Sequence, residues 1–296
     1  MRIGESEMTI EIGLVYDRIR WEEKQLLKAA QDREIKVKMV DSRKESVNLL
    51  SNYEEISETF GDPVLQRCIS YFRGLHLTAI LESKGVRVVN SFDVSLKCGN
   101  KLFTTLTLSK AGVPVPETMA AFTMDGVFKA LNDLGYPAVL KPVVGSWGRL
   151  MAILKDKETT QAIIELREKI NNALLQIYYV QKWVDRPPRD IRVMVVGDEV
   201  VAASYRYSPV NDWRTNVARG GKSEACPITP ELEEVALKAA EAVGGGVLAV
   251  DCMESREKGL LVHEVNNTVE FRGLASTTNV DIAGKIIEYV AGVVKR

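Results

Sequence analysis

The sequence predicts a mixed α/β and α+β fold, and three observations support that prediction. The chain opens on a β-α-β pattern, with strands at 9–17 and 36–41 on either side of an amphipathic helix at 21–33. Pro114 and Pro116 then mark an extended connector that enters a new strand and a new region. Beyond that connector the pattern changes, and one pair of strands encloses a glycine-bearing loop instead of leading into a helix.

The spacing of apolar residues predicts the remaining elements. Before the connector we expect a helix at 64–82, a strand at 86–91 and one continuous helix at 96–112. After the connector the predicted elements are, in order, the helix FKALNDLG, a strand at 137–144, the strand LMAILKD, a helix at 158–172, a strand at 177–184, the strands DIRVMVVGD and EVVAASYRYS, a helix at 230–243, the strands GVLAVDCMES and GLLVHEVNN, and a helix at 281–294.

The composition argues against several classes of protein. The formal net charge is -1, from 39 basic and 40 acidic residues, so bulk charge favours neither nucleic acid nor an anionic membrane as a partner. No apolar run approaches the roughly 18 residues that span a bilayer. The four cysteines lie far apart beside only two histidines, which argues against a zinc site, a disulfide framework and a Cys-His nucleophile. We therefore expect a cytoplasmic protein with reduced thiols.

Two apolar strands carry acidic groups at their ends, and these are the strongest local signal. Glu264 and Asn266 lie two residues apart, so they face the same side of one strand. Asp251 lies on a neighbouring strand and can supply a third oxygen. Mg²⁺ prefers a small number of such oxygens and leaves its other positions to water and nucleotide phosphates. The pattern predicts a magnesium-bridged triphosphate site.

The spacing of these residues also allows a simpler interpretation. Asp251 and Glu264 can be strand-end carboxylates that cap loops, because a single short motif often matches by chance. Their position beside apolar strands favours the metal site, since a charge next to a core is costly unless it is paired or bound to a metal.

Lys141 interrupts the apolar strand PAVLKPVV just before the loop GSWGR at 145–149. A lysine on a strand is more often a solvated edge residue. Here Val139, Leu140 and Val143 indicate a covered strand, so the cation is predicted to bind nucleotide phosphates while backbone N–H groups of the loop cover the γ end. Taken alone, Lys101 is a weaker candidate, because a lysine on a helix is common.

Arginine-rich segments supply a further cluster of candidates. They are RPPRDIRV at 186–193, the strand residue Arg206, and DWRTNVARGG at 212–221. Guanidinium groups bind carboxylates and phosphates through two parallel hydrogen bonds, which suits a carboxylate that becomes an acyl phosphate. A surface patch of ion pairs is the alternative.

Taken in order, these motifs resemble the ATP-grasp ligases, and within them the RimK-like branch and its LysX family. The motifs are Lys101, Lys141, GSWGR, VQKWVDRPPRDIRV, WRTNVARGG, VDCM and HEVNNTVEFRG, which together span most of the chain. The resemblance implies an ATP-grasp fold with a flavodoxin-like N-terminal lobe at 1–97. Two α+β lobes would follow, a central one at 98–185 with the glycine loop and a C-terminal one at 186–296.

The resemblance also implies roles for individual residues. ATP would contact Lys101, Lys141, Gly145, Ser146, Trp147, Gly148, Arg149, Gln181, Lys182, Val184, Asp190, Arg192, Arg206 and Asn216. Three of these, Lys141, Arg206 and Asn216, would act in catalysis. The magnesium ligands would be Asp251, Glu264 and Asn266. The substrate would meet Val217, Ala218, Asn267, Thr268, Glu270, Phe271, Arg272, Gly273 and Leu274.

The LysX family joins the amino group of α-aminoadipate to the side-chain carboxylate of the C-terminal glutamate of LysW, a small acidic carrier protein. Asn267-Thr268 matches the LysX form, whereas the glutamate-loading ArgX form has an acidic residue and a proline nearby. The resemblance thus implies ATP and Mg²⁺ as cofactors, LysW and α-aminoadipate as partners, and a homo-oligomer, either dimer or tetramer. The alternatives are glutamate loading, addition of glutamate to a protein tail, and non-catalytic nucleotide binding.

Overall fold

The computed structural model describes residues 11–209, 212–215 and 221–293, and arranges them around three β-sheets. The sheets occupy successive stretches of the chain. Helices pack against each sheet, and residues from more than one sheet line two cavities.

The first sheet has four parallel strands in the order β2-β1-β3-β4. Its elements are β1 (Glu11–Tyr16), α1 (Trp21–Gln31), β2 (Lys36–Asp41), α2 (Tyr53–Phe60), β3 (Val64–Gln66), α3 (Tyr71–Ser83) and β4 (Val88–Val89). The central strand β1 reads EIGLVY and is buried over four consecutive residues, as expected for a strand covered on both faces of a parallel sheet.

Gly13 on β1 allows a close approach of two backbone segments. Its N–H donates to the carbonyl of Pro63 at 2.9 Å, and a Cβ added at Gly13 would lie 1.8 Å from the carbonyl oxygen of Phe60. No side chain fits between these segments, so the N-terminal sheet requires glycine at this position.

The second sheet is antiparallel, with the order β5-β8-β6-β7. Two helices, α4 (Phe92–Cys98) and α5 (Lys101–Lys110), precede it. The further elements are β5 (Thr118–Ala121), α6 (Met124–Leu134), β6 (Ala138–Lys141), β7 (Ala152–Leu154), α7 (Lys157–Lys169), a short 3-10 helix (Ala173–Gln176) and β8 (Tyr178–Lys182). The glycine loop joins β6 to β7, and this sheet has a hydrophobic core of its own.

The third sheet is also antiparallel and has the order β11-β10-β9-β12-β13. Its elements are β9 (Arg189–Val196), β10 (Glu199–Tyr207), β11 (Lys222–Ala225), α8 (Pro230–Val243), β12 (Val247–Ser255), β13 (Gly259–Asn266), α9 (Arg272–Ala275) and α10 (Ile282–Gly292). The helix α8 begins at Pro230 behind an N-cap from Thr229, and covers one face of the sheet.

The first and third sheets share one hydrophobic core. Leu14 and Leu26 from the N-terminal part pack in the same cluster as Met194 and as Ile286 of the last helix. Asn90 adds polar contacts between the two parts, because its side chain donates to the carbonyls of Val247 and Asn267, both at 2.7 Å. The N-terminal and C-terminal parts are therefore packed together, although they lie at opposite ends of the sequence.

The structure corrects two of the predicted helices. The stretch predicted as one helix at 64–82 begins as β3 and becomes helical only at Tyr71. The helix predicted at 96–112 is two helices, because the side chain of Asn100 accepts hydrogen bonds from Leu102 N and Phe103 N and starts a new helix. The sequence analysis also missed α2, β11 and α9. No described helix is long and apolar enough to cross a membrane.

We expect Gly13→Ala to lower the free energy of unfolding by about 3 kcal/mol, because the new methyl group overlaps backbone atoms that cannot rotate away. Chemical denaturation measures this change. Gly292→Ala is the matched control, since no atom lies within 4 Å of a Cβ added there, and its effect should stay within about 0.5 kcal/mol. Equal stability of the two variants would contradict the proposed backbone contact.

Candidate active site

The smaller of the two cavities lies between the second and third sheets, and its walls contain most of the predicted ATP residues. The predicted residues on its walls are Lys101, Lys141, Gly145, Ser146, Trp147, Gly148, Arg149, Gln181, Lys182, Val184, Asp190, Arg206 and Glu264. Val139, Met151, Trp183 and Met253 add apolar surface. A wall of this kind suits a flat aromatic base, and the cations suit phosphates.

Lys141 ends β6 and is buried, with 3% of its surface exposed. This excludes the solvated edge lysine that the sequence left open. Its Nζ donates to Oε1 of Gln181 on the adjacent strand β8 at 2.6 Å. Burial lowers the pKa of Lys141 to about 8, although the nearby carboxylate of Glu264 opposes that shift.

Lys101 connects the glycine loop to the acidic strand ends. It is the first residue of α5, where Asn100 provides the N-cap. Its Nζ donates to the carbonyl of Gly145 at 2.7 Å and lies 3.1 Å from Oε1 of Glu264. A helix lysine that looked ordinary in the sequence is therefore a central member of the site.

The glycine loop contacts the C-terminal part of the molecule. Trp147 adopts a left-handed backbone with φ of 58°, which is rare for a bulky residue, and its indole N–H donates to Glu270 at 3.3 Å. The carbonyl of Gly148 accepts a hydrogen bond from Arg214 at 3.1 Å. Side chains from the C-terminal part thus hold the loop over the cavity.

A row of alternating charges crosses the third sheet. Arg206 on β10 donates twice to Asp190 on β9, both at 2.7 Å. Arg192 on β9 donates to the two oxygens of Asp251 on β12 at 2.9 and 2.8 Å, and Arg206 reaches the same carboxylate at 3.0 Å. The strand register produces the row, because Asp190 lies opposite Arg206, and Asp251 lies opposite both Arg192 and Glu264.

The neighbours of these carboxylates keep them ionised. Burial would raise the pKa of Asp190, but Arg206 outweighs burial and the pKa lies well below its usual range. Burial would also raise the pKa of Glu264, but the neighbouring Lys101 outweighs burial and the pKa is lowered to about 2. At neutral pH the site therefore presents fixed charges of both signs.

The three predicted magnesium ligands differ in access. Asp251 is 1% exposed, and both of its oxygens already accept hydrogen bonds from arginine. Glu264 and Asn266 line the cavities, and Asn266 Nδ2 donates to Asp251 at 3.2 Å, which leaves its oxygen for a cation. Within the described ranges, no group of three or more His, Cys, Asp or Glu side chains could hold a metal. The oxygens of Glu264 and Asn266 fit a hard cation that takes few protein ligands and also binds phosphates. Asp251 contacts Asn266 and lies deeper in the protein than the other two predicted ligands.

Sequence analysis missed His263, whose side chain also lines the smaller cavity. The register of β12 and β13 shifts between Asp251 and Cys252, and this irregularity leaves His263 beside Glu264 without a partner in the ladder. Its Nε2 lies 3.7 Å from Asp190 and has no hydrogen-bond partner among the described residues. Two adjacent residues of one strand face the site here, and strand periodicity cannot predict that arrangement.

A second, larger cavity extends from Glu264 and Asn266 toward the N-terminal sheet. The predicted substrate residues on its walls are Asn267, Thr268, Glu270, Arg272, Gly273 and Leu274, and Arg192 joins them. Phe271 does not line it, because its ring is 1% exposed and packs edge-on against Trp21, with 5.6 Å between the ring centroids. The predicted residues Asn216, Val217 and Ala218 lie outside the described part of the chain.

Comparisons with known proteins agree with this architecture. Residues 98–290 match the family model of the RimK-like ATP-grasp domain, and residues 12–96 match that of the LysX preATP-grasp domain. The chain is 34% identical to a glutamate--LysW ligase ArgX of Sulfolobus acidocaldarius, over 95% of this chain and 98% of the relative. It is also 34% identical to an alpha-aminoadipate--LysW ligase LysX of Sulfurisphaera tokodaii, over 96% and 99% of the two chains.

Solved structures support the same fold. A RimK domain ATP-grasp protein from Sphaerobacter thermophilus superposes with a TM-score of 0.77 at 27% identity, covering 95% of this chain and all of that one. The ATP-grasp ligase PsnB in complex with minimal precursor, Mg and ADP has a TM-score of 0.70 at 19% identity, covering 95% and 96% of the two chains, a likeness of fold alone. The fold and site define an ATP-grasp ligase. The chain belongs to the RimK-like ATP-grasp family.

We expect Glu264→Gln to reduce turnover by at least about 100-fold while the melting temperature changes little, because Glu264 is partly exposed and faces the cavity.

Asp251→Asn should instead lower the free energy of unfolding by about 3 kcal/mol, because it breaks a buried cluster of charges. Turnover and calorimetry separate the two effects. Glu254→Gln is the control, since Glu254 also pairs with an arginine on the same sheet but lines neither cavity, and it should retain turnover. An active Glu264→Gln variant would refute the metal-ligand assignment.

A pH profile tests the role of Lys141. The protonated amine binds phosphate, so kcat/KM for ATP should fall as the pH rises through about 8, the pKa of this lysine in the free protein. Lys141→Arg keeps its charge at high pH. Its larger side chain should lower kcat/KM at every pH, but the decline of kcat/KM with pH should begin at a higher pH than in the wild type. An identical profile in both proteins would show that another group controls the pH dependence.

Proposed function

We propose that this chain is an ATP- and Mg²⁺-dependent ligase that attaches α-aminoadipate to a LysW-type carrier protein. The amino group of α-aminoadipate would form an amide with the side-chain carboxylate of the carrier's C-terminal glutamate. The observation that carries the proposal is that the two cavities share walls formed by Lys101, Arg206 and Glu264, so the candidate phosphate and metal groups lie next to the segment 267–274. The names of full-length relatives at 34% identity supply the carrier.

The smaller cavity suits ATP. Its apolar wall, which includes Met151 and Met253, would receive the adenine, and Lys101 and Lys141 would bind the phosphates. Glu264 and Asn266 would hold Mg²⁺, which supplies charge neutralisation for phosphoryl transfer. The N–H groups of the glycine loop would cover the terminal phosphate, since Lys101 and Arg214 already hold the loop through its carbonyls.

Two displacements would complete the reaction. A carboxylate oxygen of the carrier attacks the γ-phosphorus of ATP. The bond between the γ-phosphorus and the bridging oxygen breaks, ADP departs, and the carrier carboxylate is now an acyl phosphate. The amine nitrogen then attacks the acyl carbon, phosphate departs, and the amine proton passes to solvent. Arg192 and Arg206 would stabilise the developing charge, because Asp251 and Asp190 hold both guanidinium groups in place. Closure of the glycine loop would exclude water, which competes for the acyl phosphate.

The choice of amino acid rests on a short segment after Asn266. Asn267 donates to Ser95 at 3.0 Å, and its carbonyl accepts from Asn90, so the segment is fixed where Thr268 lines the larger cavity. We infer a preference for α-aminoadipate from Asn267-Thr268, which resembles the LysX form. Glutamate loading is the second candidate, because the ArgX and LysX relatives match this chain at equal identity.

The lobes of the proposed enzyme would divide these tasks. Residues 1–97 would form one wall of the substrate cavity, residues 98–185 would carry the glycine loop, and residues 186–296 would supply the metal and carboxylate sites. A regulator that merely binds nucleotide would have no need of the larger cavity, whose walls include Arg192, Asn266 and Thr268.

The proposal is tested by incubating the protein with ATP, Mg²⁺ and a LysW-type carrier, and offering α-aminoadipate and glutamate in separate reactions. Intact-mass spectrometry should show a gain of one α-aminoadipate residue per carrier. The matched control is a carrier that lacks its C-terminal glutamate, which should gain no mass. A gain with glutamate alone would reassign the substrate, and no gain with either amino acid would refute the proposed carrier.

A further inference from the structure

The larger cavity extends beyond the residues assigned so far. One end contains Glu264 and Asn266, and the walls of the other end come from the N-terminal sheet. Those walls include Arg20, Trp21 and Glu22, which follow β1, and Gln66, Cys68, Ile69 and Tyr71, which follow or end β3. We call this end the N-terminal crevice.

The topology of the first sheet makes this crevice a ligand position. From β1 the chain crosses to β2 on one side, and it then returns past β1 to form β3 on the other. The strand order therefore reverses between β1 and β3. In open parallel sheets, ligands lie outside the carboxyl ends of the strands at this switch point. The N-terminal crevice occupies that position.

Glu23 holds Arg20 in a fixed orientation in the crevice. The Glu23 carboxylate accepts hydrogen bonds from Nη2 of Arg20 at 2.8 Å, from its Nε at 3.1 Å and from its backbone N–H at 2.8 Å. The remaining donor group, Nη1, bonds to Glu270 across the cavity at 3.1 Å. Because Glu23 already fixes the guanidinium group of Arg20, this side chain loses little further conformational entropy when it binds an anion.

A second arginine, Arg67, lies buried behind Arg20. Arg67 also donates to Glu23, at 3.0 Å, so two guanidinium groups share one buried carboxylate. Nη2 of Arg67 is buried and has no hydrogen-bond partner among the described residues. Burial would raise the pKa of Glu23, but the two arginines outweigh burial and keep it ionised. Glu23 balances one of the two guanidinium charges, and the carboxylate of Glu22, which lines the same crevice, lies near both arginines as well.

Glu270 pairs with Nη1 of Arg20 from the opposite wall of the cavity. Its side chain is 38% exposed, and it also accepts the indole N–H of Trp147. An ion pair with a partner this exposed contributes little net stability, so a ligand carboxylate can take the place of Glu270 on Nη1 at small cost. Displaced from Arg20, Glu270 would keep its hydrogen bond to Trp147 of the glycine loop.

We propose that the N-terminal crevice binds the side-chain carboxylate of an acidic amino-acid substrate, and that Arg20 is the residue that selects for it. This inference rests on the proposed function. The reacting amine must lie at the phosphate end, beside Glu264 and Asn266, and the α-carboxylate is attached next to it. The side-chain carboxylate is the charged group farthest from the amine, so it extends to the far end of the cavity. Arg67 and Glu23 are positioning residues for Arg20.

The experiment compares acidic substrates with neutral ones of nearly the same shape. α-Aminoadipate is paired with its 6-amide, and glutamate with glutamine, in the carrier-loading reaction of the full-length protein. In Arg20→Gln, the ratio of kcat/KM for acid over amide should fall roughly 10- to 100-fold, because a charge-assisted hydrogen bond is lost. KM for ATP should not change. Arg20→Lys should retain part of the preference, and Arg18→Gln, at an exposed arginine of the same loop, should retain all of it.

The outcomes separate this inference from the proposed function. An unchanged ratio of kcat/KM for acid over amide in Arg20→Gln would overturn the proposed role of Arg20. If activity also falls equally with acid and amide, the role of Arg20 is structural. If the wild-type protein loads no amino acid on the carrier, the proposed function fails. Calorimetric titration of the acidic amino acids into the ADP-bound protein then tests the crevice alone, and equal affinity of wild type and Arg20→Gln would refute it.

Discussion

The active site depends on the buried row of charges that crosses the third sheet. Arg192, Asp251, Arg206 and Asp190 alternate in sign across three adjacent strands, and three of the four side chains have at most 4% of their surface exposed. Isolated charges at such depth would be very costly, but each carboxylate here accepts hydrogen bonds from arginine. The order of the strands and their register must be correct for any of these pairs to form. The row therefore links the folding of the sheet to the orientation of its arginines.

This arrangement suits the two displacements proposed above, which need no nucleophile from the protein. Phosphoryl transfer spreads negative charge over oxygens, and fixed cations stabilise that charge without reorganising during the reaction. Lys141 is buried beneath the glycine loop, and Lys101 bridges that loop to Glu264. The positive groups are thus held by neighbours from different strands and helices, and their positions do not depend on the ligand alone.

The packing of the molecule assigns different roles to its parts. The N-terminal and C-terminal sheets share one core through the last helix, so the N-terminal crevice and the acidic strand ends are fixed relative to each other. The central sheet has a separate core and reaches the substrate cavity through its glycine loop. Polar contacts from Lys101, Arg214 and Glu270 hold that loop, and such contacts break at lower cost than a hydrophobic core.

The sequence by itself determined the strands and helices with strong periodicity, the glycine loop, Lys141 and the acidic pair on β12 and β13. Local spacing controls these features, because strand alternation and turn residues act over a few positions. The tertiary structure decided what depends on distant partners. It divided one predicted helix at Asn100, gave Lys101 its contact with Glu264, brought His263 into the site through an irregularity in the register, and buried Phe271 in the core. It alone joined Arg20 and Glu270, 250 residues apart, because only packing between the ends of the chain brings such residues together.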